Sequence, residues 1–69
     1  QYVGKGHDEL VKAFVHNMSI ALVTENFEEY EKHLDYMFAT FSQNAFVRTD
    51  ISLKVFNKVA HLRSINVHL

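Results

Sequence analysis

The chain has 69 residues, a net charge of −1 and no cysteine or proline. At this length it is one domain at most, disulfides and thiolate metal sites are excluded, and no overall charge draws it to nucleic acid or anionic lipid. So short a chain buries only about 60% of the surface its unfolded form exposes, which leaves tight helix packing, a histidine/carboxylate metal site or a second subunit to complete its stability.

No apolar run approaches the ~20 residues that a membrane span needs. No secretory signal pattern opens the chain either, and a cytoplasmic location with no membrane partner is expected. A start at Gln1 without methionine is what an excised or processed chain would show. The only glycines are Gly4 and Gly6, so the remainder lacks strong breakers and suits long helices.

The first helix is expected from about Asp8 to Val23. Leu10, Val11, Phe14, Val15, Met18, Ala21 and Leu22 share one face at 3.6-residue spacing. Asp8 and Glu9 fall in its first turn, where the helix macrodipole favours carboxylates.

The second helix is expected over 27–45, capped by Asn26 with Glu29 completing a capping-box-like start. Phe27, Tyr30, Leu34, Met37, Phe38, Phe41 and Ala45 line its core side; Glu28, Glu29, Lys32, His33, Tyr36, Thr40 and Gln43 line the other. Glu28 with Lys32 and Glu29 with His33 are i,i+4 pairs, each worth a few tenths of a kcal/mol.

A third helix is expected over 50–64, after Thr49 or Asp50 as cap, with Ile51, Val55, Phe56, Val59, Ala60 and Leu62 on its apolar side. Residues 65–69 change to strict alternation, compatible with a frayed helix end or a short extended segment. Short connections near 24–26 and 46–49 fold each helix back on its neighbour. The expectation is an all-α, three-helix domain of antiparallel hairpins spanning residues 1–69 and completed by oligomerisation.

The stretch FEEYEKHLDYMF, residues 27–38, crowds aromatics and carboxylates around His33. On the wheel His33 falls among the charged residues, so a solvated histidine is expected, with His33→Ala costing less than about 0.5 kcal/mol. Phe38→Ala or Phe41→Ala is expected to cost about 3–5 kcal/mol.

The stretch superficially resembles the ligand helices of hemerythrins, but His33 is followed by Leu34-Asp35-Tyr36-Met37 where those carry His-Phe and then paired Glu. A histidine phosphotransfer domain also exposes a mid-helix histidine, yet has Lys and Gly soon after it where this chain has Tyr36 and Met37. GHDELVKAF, followed by EEYEKHLDYMFATF and VRTDISLKVF, loosely resembles the second half of a globin, with His7 in the distal place. A globin's proximal histidine would fall near 38–41, where Phe38 and Phe41 stand, so no haem is implied. Neither cofactor nor metal is expected.

Gly-rich phosphate loops, nucleophile elbows and HExxH strings do not occur. The acidic cluster Glu28, Glu29, Glu31 and Asp35 reads as a solvated face, because carboxylates tuned for acid/base work need a pocket. A non-enzymatic protein is expected.

Charge is split along the chain. Residues 1–44 hold seven acids (Asp8, Glu9, Glu25, Glu28, Glu29, Glu31, Asp35) and three bases (Lys5, Lys12, Lys32), net −4. Residues 45–69 hold four bases (Arg48, Lys54, Lys58, Arg63) and one acid (Asp50), net +3. Complementary charge of this kind sets register and partner choice.

Ile20, Val23, Tyr36, Phe46 and Val47 fall off the apolar faces, on a chain that is 48% hydrophobic. They are the expected contact surface of a homo-oligomer or of a complex with another helical protein. The alternative is a helix-turn-helix-like regulator that reads nucleic acid through Arg48, Lys54, Asn57, Lys58 and His61. The few bases and the acidic second helix argue against it.

Overall fold

Three helices carry the chain, α1 (His7–Val23), α2 (Phe27–Thr40) and α3 (Ala45–Val67), and the described residues contain no strand. This structure, a computed structural model, describes residues 2–67. The alternating tail therefore continues α3 as far as Val67, and His68 and Leu69 lie outside the described residues.

Helix α1 buries the face its sequence marks: Val11, Phe14, Met18 and Ala21 are all inside. It ends in a Schellman arrangement, with the Asn26 N–H donating to the Ala21 carbonyl at 2.8 Å and the Glu25 N–H to that of Leu22 at 3.1 Å. Glu25 occupies the left-handed position there, φ 58°. Asn26 then caps α2, its side-chain oxygen accepting from the Glu29 N–H at 3.4 Å, as the sequence predicts.

The α2–α3 junction differs from expectation. Helix α2 stops at Thr40 rather than at residue 45, and α3 starts at Ala45 rather than after Thr49 or Asp50. Asn44 supplies the cap, its side-chain oxygen accepting from the Val47 N–H at 3.1 Å. The Arg48 guanidinium reaches back to the carbonyls of Phe41, the cap residue of α2, and of Ser42 just beyond it, which ties the short turn to the start of α3. Asp50, one expected cap, lies inside α3 and pairs with Lys54 at 3.0 Å.

Contacts fix the helix directions. The His7 ring meets that of Phe41 edge-on, centroids 5.8 Å apart, so the start of α1 lies by the end of α2 and the two run antiparallel. One hollow joins Met18 and Leu22 to Val55, Val59 and Arg63, and another joins His7 and Val11 to Asp50 and Lys54. Helix α3 therefore runs parallel to α1 and antiparallel to α2. Both outer helices pack on α1 and scarcely touch each other.

The core lies along α1: Phe14, Met18, Met37 and Ile51 are fully buried, with Tyr2, Val11, Val55 and Val59 around them. On α2 this overturns the expected centre. Met37 is buried, Leu34 and Phe41 are partly covered, and Phe27 and Phe38 remain 60% and 51% exposed. On α3 Ile51, Val55 and Val59 are inside as expected, whereas Phe56 is 75% exposed. The reason is geometric. At 100° per residue the stripe Phe27-Leu34-Phe38-Phe41 is centred roughly 50–60° away from the Met37/Tyr30 direction that faces α1, and among the described residues no helix covers the far half of it.

Candidate functional site

The two flanks of α2 hold the chemically distinctive features. On one flank the N-terminal segment turns at Gly4, whose φ of 80° suits glycine, and lays Tyr2 against the α1–α2 seam. The Tyr2 ring stacks on Phe14, centroids 4.2 Å apart and planes 21° apart, and Tyr36 closes over it at 5.3 Å. This covering buries His33, only 7% exposed, in contradiction to the solvated position expected of it.

His33 Nδ1 lies 2.7 Å from the Tyr2 hydroxyl, which also accepts from the Asn17 side-chain amide at 2.9 Å. One proton arrangement uses every group: Asn17 donates to Tyr2, Tyr2 donates to Nδ1, and the imidazole keeps its proton on Nε2. Nε2 faces Glu29 Oε1 at 3.6 Å, the i,i+4 pair expected from sequence. The other expected pair, Glu28 with Lys32, is replaced by Lys32 with Glu29 at 3.9 Å.

A carboxylate, an imidazole and a hydroxyl in a row invite a catalytic interpretation, which the surroundings do not favour. Burial pushes the Tyr2 hydroxyl above its ordinary pKa of 10.0; the Asn17 hydrogen bond opposes the rise and the Glu29 carboxylate adds to it. The hydroxyl is thus harder to ionise than a free phenol, the wrong direction for a nucleophile. The hollow beside it, lined by Tyr2, Glu29, Lys32, His33 and Tyr36, holds about 180 Å³, below the roughly 300 Å³ at which ligand sites begin. These residues fasten the N-terminal segment to the bundle.

The opposite flank of α2 is an open groove floored by α1 and walled by α3. Met18, Leu22, Tyr30, Val55, Phe56, Val59 and Arg63 line its upper part, about 410 Å³; Phe38, Arg48, Thr49, Leu53 and Phe56 line its lower part, about 420 Å³. Three short helices thus form a concavity of ligand dimensions, which their number alone gave no reason to expect. Tyr30, Phe38 and Phe56 make its walls largely aromatic, and Leu53, 61% exposed, stands on its rim. Arg48 lies over the Phe38 ring, 5.1 Å from its centroid.

The residues singled out from sequence as a contact surface do not line this groove. Val23 and Val47 are partly buried against the core, Tyr36 covers Tyr2, and Ile20 and Phe46 are exposed at 41% and 90%. The signal that finds the groove is the offset of Phe38 and Phe56 from the helix faces turned to α1.

The residues assigned to nucleic acid divide as well. Lys54, Asn57, Lys58 and His61 share one side of α3 at helical spacing, away from the groove, while Arg48 is held at the α2–α3 turn. Among the described residues there is no cluster of three or more potential metal ligands, and no helix is long and apolar enough to cross a membrane. Compared with protein-family models, with curated proteins and with solved structures, the chain matches none.

Proposed function

We propose that this chain is a non-enzymatic helical interaction module that receives an amphipathic helix in the α2–α3 groove. One observation carries the proposal: the apolar stripes of α2 and α3 both turn past α1 toward a groove that no described part of the chain covers. Exposed apolar surface concentrated in a concavity is the feature of helix-in-groove recognition, in which residues spaced i, i+4, i+7 on the incoming helix fill successive hollows.

The nucleic-acid alternative has less support. Arg48 is committed to two carbonyls, Lys54 to Asp50, and α2 does not lean on α3 as a supporting helix would. A designed amphipathic peptide helix, titrated by fluorescence anisotropy, tests the proposal. Phe56→Glu should abolish uptake, whereas Lys58→Glu on the other side of α3 should leave it unchanged. A groove that associates with no helix, neither the peptide nor another copy of the chain, overturns it.

A further inference from the structure

Resting on that groove, we infer that its occupant is a second copy of this chain, related by a two-fold axis that runs parallel to the groove. The first argument is charge. Helix α2 carries four acids (Glu28, Glu29, Glu31, Asp35) and one base (Lys32), net −3; α3 carries four bases (Arg48, Lys54, Lys58, Arg63) and one acid (Asp50), net +3, and of these bases Arg63 and Arg48 line the groove while Lys54 and Lys58 face away from it. Among the described residues every ion pair stays within one helix: Lys32 with Glu29, His33 with Glu29, and Lys54 with Asp50. The opposite signs of α2 and α3 therefore do not neutralise each other inside the chain. A foreign helix would have to be basic on the flank that meets α2 and acidic on the flank that meets α3. A second copy has that distribution by symmetry, since each α2 meets the other copy's α3.

The second argument is register. Rotation about an axis parallel to the helices preserves their direction and their height. Helix α2 of one copy then lies antiparallel on α3 of the other, as it already does beside its own. The four helices around the axis are each antiparallel to both neighbours, the arrangement of an up-down four-helix bundle. Tyr30 shares a hollow with Val59 and Arg63, and Phe38 shares one with Thr49 and Leu53. At preserved height, Glu31 of one copy faces Arg63 of the other, and Phe38 faces Leu53 and Phe56.

The third argument is area. Phe38, Leu53 and Phe56, at 51%, 61% and 75% exposure, leave apolar surface open along the groove. At roughly 200 Å² per large side chain, these three contribute nearly half of the ~800 Å² each partner buries in a stable complex.

Sedimentation and light scattering of the full chain, from micromolar to millimolar concentration, test the inference. A dimer is expected. Phe56→Glu should weaken it more than about 100-fold, as loss of a central aromatic anchor does. Glu31→Arg and Arg63→Glu should each weaken it about tenfold or more, because each places like charges opposite one another. Mixing those two variants should restore association to near the wild-type level, since the heterodimer pairs Arg with Glu at both contacts. All three sites are on the surface, and circular dichroism should show each variant folded. A wild type that stays monomeric at millimolar concentration, or a mixture no tighter than its components, overturns the second-copy inference. If that monomer still takes up the designed amphipathic helix and Phe56→Glu loses it, the groove stands and only its occupant is wrong; if it takes up nothing, both proposals fall.

Discussion

The two flanks of α2 have been finished in opposite ways. On the N-terminal side a five-residue segment, Tyr2 to Gly6, closes over the helix and buries a histidine. On the α3 side Phe38 and Phe56 stand exposed at an apolar groove. Polarity did not decide which side chains went inside. What decided it was the presence of something to cover them: a tyrosine with one hydroxyl can satisfy an imidazole and an amide together, whereas among the described residues no helix closes over Phe38, which stays 51% exposed beneath the Arg48 guanidinium. A helix face that is apolar and still open points to a partner, and a helix face that is polar and closed points to an internal fastening.

The sharpest way to break this comparison is to truncate one aromatic from each class. Phe14 is fully buried, stacked on Tyr2 and edge-on to Phe41 at 6.1 Å. Phe14→Ala should cost about 3–5 kcal/mol through lost transfer energy and a residual cavity, comparable with the whole stability of a domain this small. It should melt at or below room temperature. Phe38→Ala, at the open groove, removes a ring that water already reaches and a contact with Arg48 worth about 0.5–1 kcal/mol. Its cost to the isolated chain should be about 1 kcal/mol or less. Thermal melts of the two at a concentration that keeps the chain monomeric decide the matter; equal losses would mean that the groove is closed in solution.

The closed flank is tested next. His33→Ala leaves the Tyr2 hydroxyl without its acceptor, and Tyr2→Phe leaves His33 Nδ1 without its donor and the Asn17 amide without its acceptor. Each should cost about 1–3 kcal/mol, the penalty of a buried polar group left unpaired, against the 0.5 kcal/mol expected of a surface histidine. The pH dependence gives a second reading. The hydroxyl's folded-state pKa is raised above 10.0 by burial, so its protonated form is favoured by folding. That contribution is fully present below pH 10.0 and is lost as pH rises through the raised value. The gap between wild type and Tyr2→Phe in denaturant melts should therefore be constant from neutral pH to about pH 10 and narrow above it. A gap that does not narrow would place the hydroxyl in water.

Much of this was legible in the sequence because it depends on neighbours along one helix. The face of α1, the cap at Asn26 and the Ile51-Val55-Val59 stripe follow from spacing and side-chain chemistry alone. The α2–α3 boundary was not, because Asn44, Thr49 and Asp50 are all competent caps; the choice falls to Asn44 where Arg48 can also hold the carbonyls of Phe41 and Ser42. The burial of His33 was not legible either. Its cover comes from Tyr2, which lies 31 residues away in sequence, and no periodicity within α2 reports on that. The groove was half-legible: the apolar character of Phe38 and Phe56 was plain, and that α1 would leave both open was not.

The gentlest test concerns the turn that sets both flanks, since residues 24–26 fix how α2 leaves α1 and hence how wide the groove stands. Glu25 holds φ 58° at the position after the helix cap where glycine is the usual residue. A side chain in that conformation costs about 1–2 kcal/mol. Glycine would relieve the cost but lose about 0.4–1 kcal/mol through the greater freedom of its unfolded chain. The balance for Glu25→Gly is a gain of about 0.5 kcal/mol, or a melting temperature higher by about 2–4 °C for a domain of this size. The comparison variant is Glu25→Ala, which keeps the strained backbone and removes only the charge. If strain is the cause, Glu25→Ala should melt with the wild type and Glu25→Gly above it. If both rise equally, repulsion from Glu28 and Glu29 in the first turn of α2 is what the turn suffers from, and its backbone is at ease. Since neither variant touches the groove wall or the Tyr2 fastening, both should leave association unchanged, which separates the stability of the turn from the surface that the turn positions.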